Sequence, residues 1–450
     1  MGKYISLGEI NKSLLFIFLM SISSVLYKYI YGFTYIECFY PMNIYRILYN
    51  WIIDENKHDC PRHRVFDTFF SYIGVIIISF IFVKDKVENE TENKEIIKEK
   101  EKPSTRHSSV INVMLIYNKK KKYLQSRKGR IYYIFILFLW IAEENLVLIY
   151  VDIFQDLDFW FFELIFVSFI YSRLFISKTP LHQKLGMIIS IIVGSLLKIY
   201  SIGLSLNSDT VFYARNKFRI FFVIAYFAII IARSYVNTEI KTFLDLKYIS
   251  QRILLISYGI AGFIISLFTG IFTSSVACYG DLQENVCKFQ YENNYYYDEV
   301  HVYYESGKNM LVRLIVIFLG IIAFFFDKYF STLIIKFYTP VHVIFSFPIQ
   351  FFLEKTFLLI FSASFFIDDL FTQEIQVSKF LLDISGDIFS IIGFLIYLEI
   401  IELHFCNLDF NLKKNIIKRS KNEIEDIEMV MCGENPLFTS ANNEDEISEN

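Results

Sequence analysis

Hydrophobic positions along this chain come in long blocks, not in alternation and not in narrow helical stripes. Runs such as Tyr132–Trp140, Ile188–Leu197 and Ile220–Ala232 are too long and too uniformly apolar for surface helices. A helix needs about 20 predominantly apolar residues to cross a bilayer core. Ten stretches qualify, at approximately 13–31, 66–83, 131–151, 157–176, 184–204, 218–236, 253–275, 311–337, 338–367 and 380–402. The apolar region after Val312 is too long for one helix. Pro340 lacks an amide hydrogen and disfavours helix at Thr339, so the pattern predicts a break there.

Composition narrows this picture by exclusion. The 450 residues are 54% hydrophobic and 20% charged, with 49 Phe and 31 Tyr, which excludes intrinsic disorder. A net charge of -3 gives no reason to expect a nucleic-acid partner. The expected class is an all-α, multi-pass membrane protein of about ten helices.

The placement of charge gives an orientation, because Lys and Arg accumulate on the cytosolic side. With the N-terminus in the cytosol, 29 of the 44 Lys and Arg fall in the segments 1–12, 84–130, 172–184, 233–252, 336–337 and 403–450, against 10 in the opposite loops. Both termini are then cytosolic, in an endomembrane (ER or Golgi) or the plasma membrane. The sequons at Asn11 and Asn89 lie on that same face, so neither is expected to carry a glycan. The cytosolic flap 84–130 alternates Lys and Glu and then ends in the basic stretch Lys119–Arg130, a positive-inside anchor that could also meet anionic lipids. The tail 403–450 is largely acidic and reads as disordered beyond Glu423.

Cys38, Cys60, Cys278 and Cys287 fall on the opposite side, where disulfides form, and allow three pairings. Cys278–Cys287 is the local choice and would brace the Tyr-rich loop 276–310. Soluble-enzyme motifs are absent: there is no Walker A, no Gly-x-Gly-x-x-Gly, no Cys-x-x-Cys, no nucleophile elbow and no zinc-protease signature. His58, Cys60 and His63 stand close together, but in a basic loop they read as loop residues. No metal, cofactor or enzymatic activity is expected.

The candidate chemistry lies in charges placed inside apolar stretches, where each costs about 2.5–3.5 kcal/mol on insertion scales and normally faces a cavity or a partner. Glu143 and Glu144 lie in the third stretch, Glu163 in the fourth and Lys198 in the fifth. Asp327 and Lys328 lie in the eighth, Glu354 and Lys355 in the ninth, Asp383 and Asp387 in the tenth. Each pair could be structural. Opposed charges on several helices at similar depth also make a polar translocation site, which Glu143, Glu144, Asp327, Lys328, Glu354 and Lys355 would line, with His342 and Gln350 near its approach.

The fifth and tenth stretches share a further pattern. His182–Tyr200 and Asp383–Glu399 both carry two glycines in an aliphatic helix, Gly186 with Gly194 and Gly386 with Gly393, a spacing that lets helices approach closely. On this basis residues 1–204 and 205–402 read as two five-helix repeats. The stretches Asp327–Pro348, Gly386–Tyr397 and Ser172–Gly194 together resemble the drug/metabolite transporter superfamily, and within it the nucleotide-sugar-transporter-like branch. The loop between the seventh and eighth stretches also resembles that of some eukaryotic members. The family's Gly-x-x-Lys in the ninth helix is missing; Pro348 and Phe351 stand near those places and Lys355 one turn beyond.

The resemblance implies a ten-helix fold of two inverted five-helix repeats around a central cavity. It implies a secondary transporter that moves a small polar or anionic solute, a metabolite or a nucleotide-sugar-like molecule. The reading from a different class is a non-transporting membrane scaffold or receptor that uses the Tyr-rich loop 276–310 and the basic flap.

Overall fold

The computed structural model describes residues 7–32, 65–83, 122–153, 160–175, 181–198, 200, 219–246, 248–278, 289–291, 294–296, 310–361, 374–404, 412 and 415. Each of the ten apolar stretches contains a helix within these residues. They are α1 (Leu7–Gly32), α2 (Val65–Phe82), α3 (Arg127–Ile153), α4 (Trp160–Phe175), α5 (Leu181–Ile189), α6 (Arg219–Asp245), α7 (Gln251–Ser275), α8 (Met310–Phe337), α9 (Pro340–Ile344), α10 (Ser346–Phe361) and α11 (Glu374–Tyr397). A π-helical turn, Ser190–Gly194, continues α5.

Four helical stretches among the described residues are long and apolar enough to cross a membrane: Leu181–Lys198, Gln251–Phe272, Ile317–Phe337 and Phe380–Tyr397. The outer surface agrees with that length, since large apolar side chains such as Phe82 (73% exposed) and Phe268 (69%) point outward. A water-soluble monomer rarely presents a continuous apolar surface of this kind, whereas lipid would cover it.

Pro340 divides the long apolar region as expected. Thr339 is extended (φ -133°, ψ 158°) and Pro340 opens α9, where a missing amide hydrogen does no harm. The chain bends again at Phe345, so the expected ninth stretch is two helices, α9 and α10.

α6 corrects the expected boundary at 236. The helix continues to Asp245, although Ser234–Asp245 is rich in polar residues. Many of those polar groups are buried, and two hydroxyls bond back to the helix's own carbonyls: Thr238 donates to the Ser234 carbonyl at 2.8 Å and Thr242 to the Thr238 carbonyl at 3.1 Å. Lys241 Nζ donates to the Lys336 carbonyl at the end of α8, 2.9 Å away, a favourable place for a cation.

α1 packs on α8 and α10, and α6 packs on α3 and α4. α2 packs on α7 and α8, α7 also on α3, and α5 on α11. Tyr258 of α7 is fully buried where these groups converge, with the Trp140 ring at 4.3 Å and the Tyr72 ring at 5.4 Å.

A small antiparallel sheet, ordered β1-β3-β2 (Ala277–Cys278, Asn294–Tyr296 and Phe289–Tyr291), accompanies the helices in the loop after α7. Tyr295 pairs with Cys278 on one side and Gln290 on the other. The expected Cys278–Cys287 disulfide lies outside the described residues, as do most of the flap and the tail.

Candidate functional site

The two adjacent acids of α3 face different partners. Successive residues of a helix point about 100° apart, so Glu143 and Glu144 cannot share one cation. Glu143 Oε2 accepts from Arg233 Nε of α6 at 2.9 Å, and the same guanidinium reaches Glu163 Oε2 of α4 at 3.4 Å. Glu144 Oε1 accepts from Lys328 Nζ of α8 at 2.9 Å, while the Tyr258 hydroxyl donates to Glu144 Oε2. Asp327 lies 3.3 Å from the same Lys328 ammonium, so these sequence neighbours do meet. Glu143 is 3% exposed and Glu163 1%. Removing one partner from such a pair strands a charge in low dielectric, which makes the pairing costly to break.

A second group of charges is built on a close helix crossing. α5 and α11 run antiparallel with small residues facing each other. A Cβ at Gly186 would lie 2.6 Å from the Gly393 carbonyl oxygen, and one at Gly393 would lie 2.6 Å from the Gly186 oxygen. Ser190 Oγ donates to the Ser390 carbonyl at 3.0 Å. Gly194 faces Gly386, where a Cβ would meet the opposite carbonyl at 3.1 Å. The four glycines singled out in the sequence thus form one contact, and the backbones come together because none carries a side chain.

One turn beyond Gly194 this approach delivers Lys198 to Asp387. Lys198 Nζ stands 2.7 Å from Asp387 Oδ1, and Lys355 Nζ of α10 donates to Oδ2 at 2.7 Å. Asp387 is fully buried between two ammonium groups. Lys355 is also 4.0 Å from Asp383, and both of these side chains are part-exposed.

α10 connects the two groups through aromatic faces. Phe347 lies 5.8 Å from the Arg233 guanidinium, Phe351 lies 4.5 Å from the Lys198 ammonium, and the two rings stack one turn apart at 6.5 Å. The charged groups are therefore a continuous polar and cation–π chain through the helices, not isolated pairs.

Of the residues proposed from sequence, Glu144, Asp327 and Lys328 come together, Glu143 pairs instead with Arg233, and Lys355 belongs to the second group. Glu354, adjacent to Lys355, is half-buried on α10. Gln350 is buried against α1, where Ser24 Oγ donates to its Oε1 at 3.2 Å and its amide donates to Ser346 Oγ at 3.1 Å. His342 is buried on α9 with its Nδ1 2.7 Å from Thr339 Oγ1.

Arg233 is the charged residue at this site that sequence reasoning missed. It directly follows the apolar run Ile220–Ala232, within the stretch 218–236, and was counted among the charges of the cytosolic segment 233–252. Tyr258 was also missed, and no sequence signal separates it from the other 30 tyrosines. No cluster of three His, Cys, Asp or Glu fit to hold a metal occurs among the described residues. No protein-family model and no curated protein matches the chain.

Proposed function

We propose that this chain is a secondary transporter that moves a small anionic solute by alternating access between two five-helix halves. The observation that carries the reading is Asp387 held between Lys198 and Lys355. Two lysines on one carboxylate are a ready receptor for an anion. A solute carboxylate or phosphate that displaced Asp387 would meet both ammonium groups, with part-exposed Lys355 reached first. Glu143, Glu144, Glu163 and Asp327 hold Arg233 and Lys328 in place beside this route.

The packing supports two related halves. Number the helical stretches one to ten, with α9 and α10 as the ninth and α11 as the tenth. The first packs on the eighth and ninth; the sixth packs on the third and fourth. The second packs on the eighth, and the seventh on the third. The second and seventh contact each other, as do the fifth and tenth. Advancing every member by five turns the first–eighth, first–ninth and second–eighth contacts into the sixth–third, sixth–fourth and seventh–third ones and returns the second–seventh and fifth–tenth contacts to themselves, a pattern of paired repeats that rock about a shared site. The sixth–eighth and seventh–eighth contacts have no counterpart of similar extent. Both halves would then lie in an endomembrane or the plasma membrane with the termini cytosolic.

The reading is tested by thermal unfolding of the purified full chain against a panel of small phosphate esters, nucleotides and dicarboxylates. At least one anion class should raise the unfolding midpoint of the wild type and leave Lys355→Ala unmoved. Stable capture of a protein partner with no anion response would favour the scaffold reading instead.

A further inference from the structure

The charges around Arg233 do not balance, and the imbalance has an address. Arg233 is the only cation that the structure places on Glu143 and Glu163 among the described residues. It sits close to Glu143, at 2.9 Å through Nε, and further from Glu163, at 3.4 Å through Nη1. Glu163 Oε1 is buried and accepts no hydrogen bond from the described residues, and the residue as a whole is 1% exposed. A carboxylate in such a place, with one oxygen empty and the other weakly held, is much more costly than a neutral carboxylic acid.

We propose that Glu163 is a proton-binding site, neutral while Arg233 pairs with Glu143. In the transporter reading, on which this use of the site rests, that proton is the coupling ion. The proton binds Glu163 Oε1, and the group is then an uncharged acid. Loss of the proton to water leaves a carboxylate that draws the guanidinium away from Glu143, so one arginine alternates between two acids and each position corresponds to one protonation state. Glu144 is not the proton carrier, because Lys328 and the Tyr258 hydroxyl already donate to its two oxygens.

The surroundings leave Glu163 with few competing influences. α6 brings Arg233, and α3 brings Glu143 on the other side of the same guanidinium. α9, which also packs on α4, carries His342 with its Nδ1 held at Thr339. The π-helical turn against α4 contributes Ser190–Gly194, with no titratable side chain.

Infrared spectroscopy of the purified full chain in lipid nanodiscs, titrated with pH, tests the assignment without any solute. The wild type should show a protonated buried carboxyl band at neutral pH that disappears on alkaline titration. Glu163→Gln should lose the band and keep the wild-type unfolding midpoint, because glutamine mimics the neutral acid. Glu143→Gln should lower the midpoint, since it takes from Arg233 its close partner. A wild type with no such band, or a band that persists in Glu163→Gln, overturns the proposal without reference to any variant's activity. Solute uptake by vesicles that proceeds unchanged when this band is absent would keep the transporter and remove the proton site. A band at Glu163 with no anion response would keep the site and remove the transporter.

Discussion

Two helix junctions of the molecule are built from opposite materials. Where α6 meets α3 and α4, the contact is ionic: Arg233 between Glu143 and Glu163. Where α1 meets α8 and α10, the contact is neutral. Ser24 donates to Gln350, Gln350 to Ser346, and Ser21 reaches the Ser346 carbonyl at 3.3 Å. A neutral hydrogen bond contributes about 0.5–1.5 kcal/mol net, whereas stranding one member of a buried ion pair costs about 3–5 kcal/mol. In the proposed transport cycle, the α1 side could therefore exchange partners during a movement that the α6 side would follow only if its charge were compensated, by the other acid or by a proton.

The strongest test of that contrast is Arg233→Met. It leaves two buried acids without their cation, and the unfolding free energy should fall by about 3–5 kcal/mol. An unfolding midpoint equal to the wild type would show that the α6 junction is not held by charge. Next comes Gly186→Leu, which should separate α5 from α11 and loosen the lysine group on Asp387, because a Cβ there already meets backbone at 2.6 Å. Overpacking of this kind costs about 1–3 kcal/mol or more. Its effect should appear in anion-induced stabilisation as well as in basal stability, and a variant that binds anions like the wild type would separate the crossing from the site.

The smallest effects belong to the neutral junction. Ser24→Ala should cost about 1 kcal/mol. A double-mutant cycle of Ser24→Ala with Gln350→Ala should give a coupling energy of about 0.5–1 kcal/mol, well below that of Arg233→Met with Glu143→Gln. Equal couplings at the two junctions would remove the distinction.

Much of this fold was legible because apolar length and proline chemistry act locally. Pro340 marks a real break, and the spacing of Gly186, Gly194, Gly386 and Gly393 identifies two helix faces that do meet. α6 was read short because hydropathy counts Thr238 and Thr242 as polar, while the helix lets their hydroxyls bond back to its own carbonyls. Arg233 lies inside the expected stretch but was counted with the cytosolic charges of 233–252. The charges inside the apolar stretches were visible, but their partners were not. Lys355 passes over its neighbour Glu354 to reach Asp387, and Glu143 and Glu144 diverge to separate helices. Such choices are made by tertiary packing, which residue spacing along one helix does not encode.

Uptake of a radiolabelled anion into vesicles reconstituted with the purified chain tests the transport claim most directly, using whichever anion class stabilises the wild type. Lys355→Ala is the informative variant, because Asp387 keeps Lys198 as a partner and the fold should survive. The account predicts saturable uptake by the wild type and loss of that uptake in folded Lys355→Ala. Uptake by Lys355→Ala at the wild-type rate would contradict the assigned site, and a wild type that moves no anion would contradict the transporter itself.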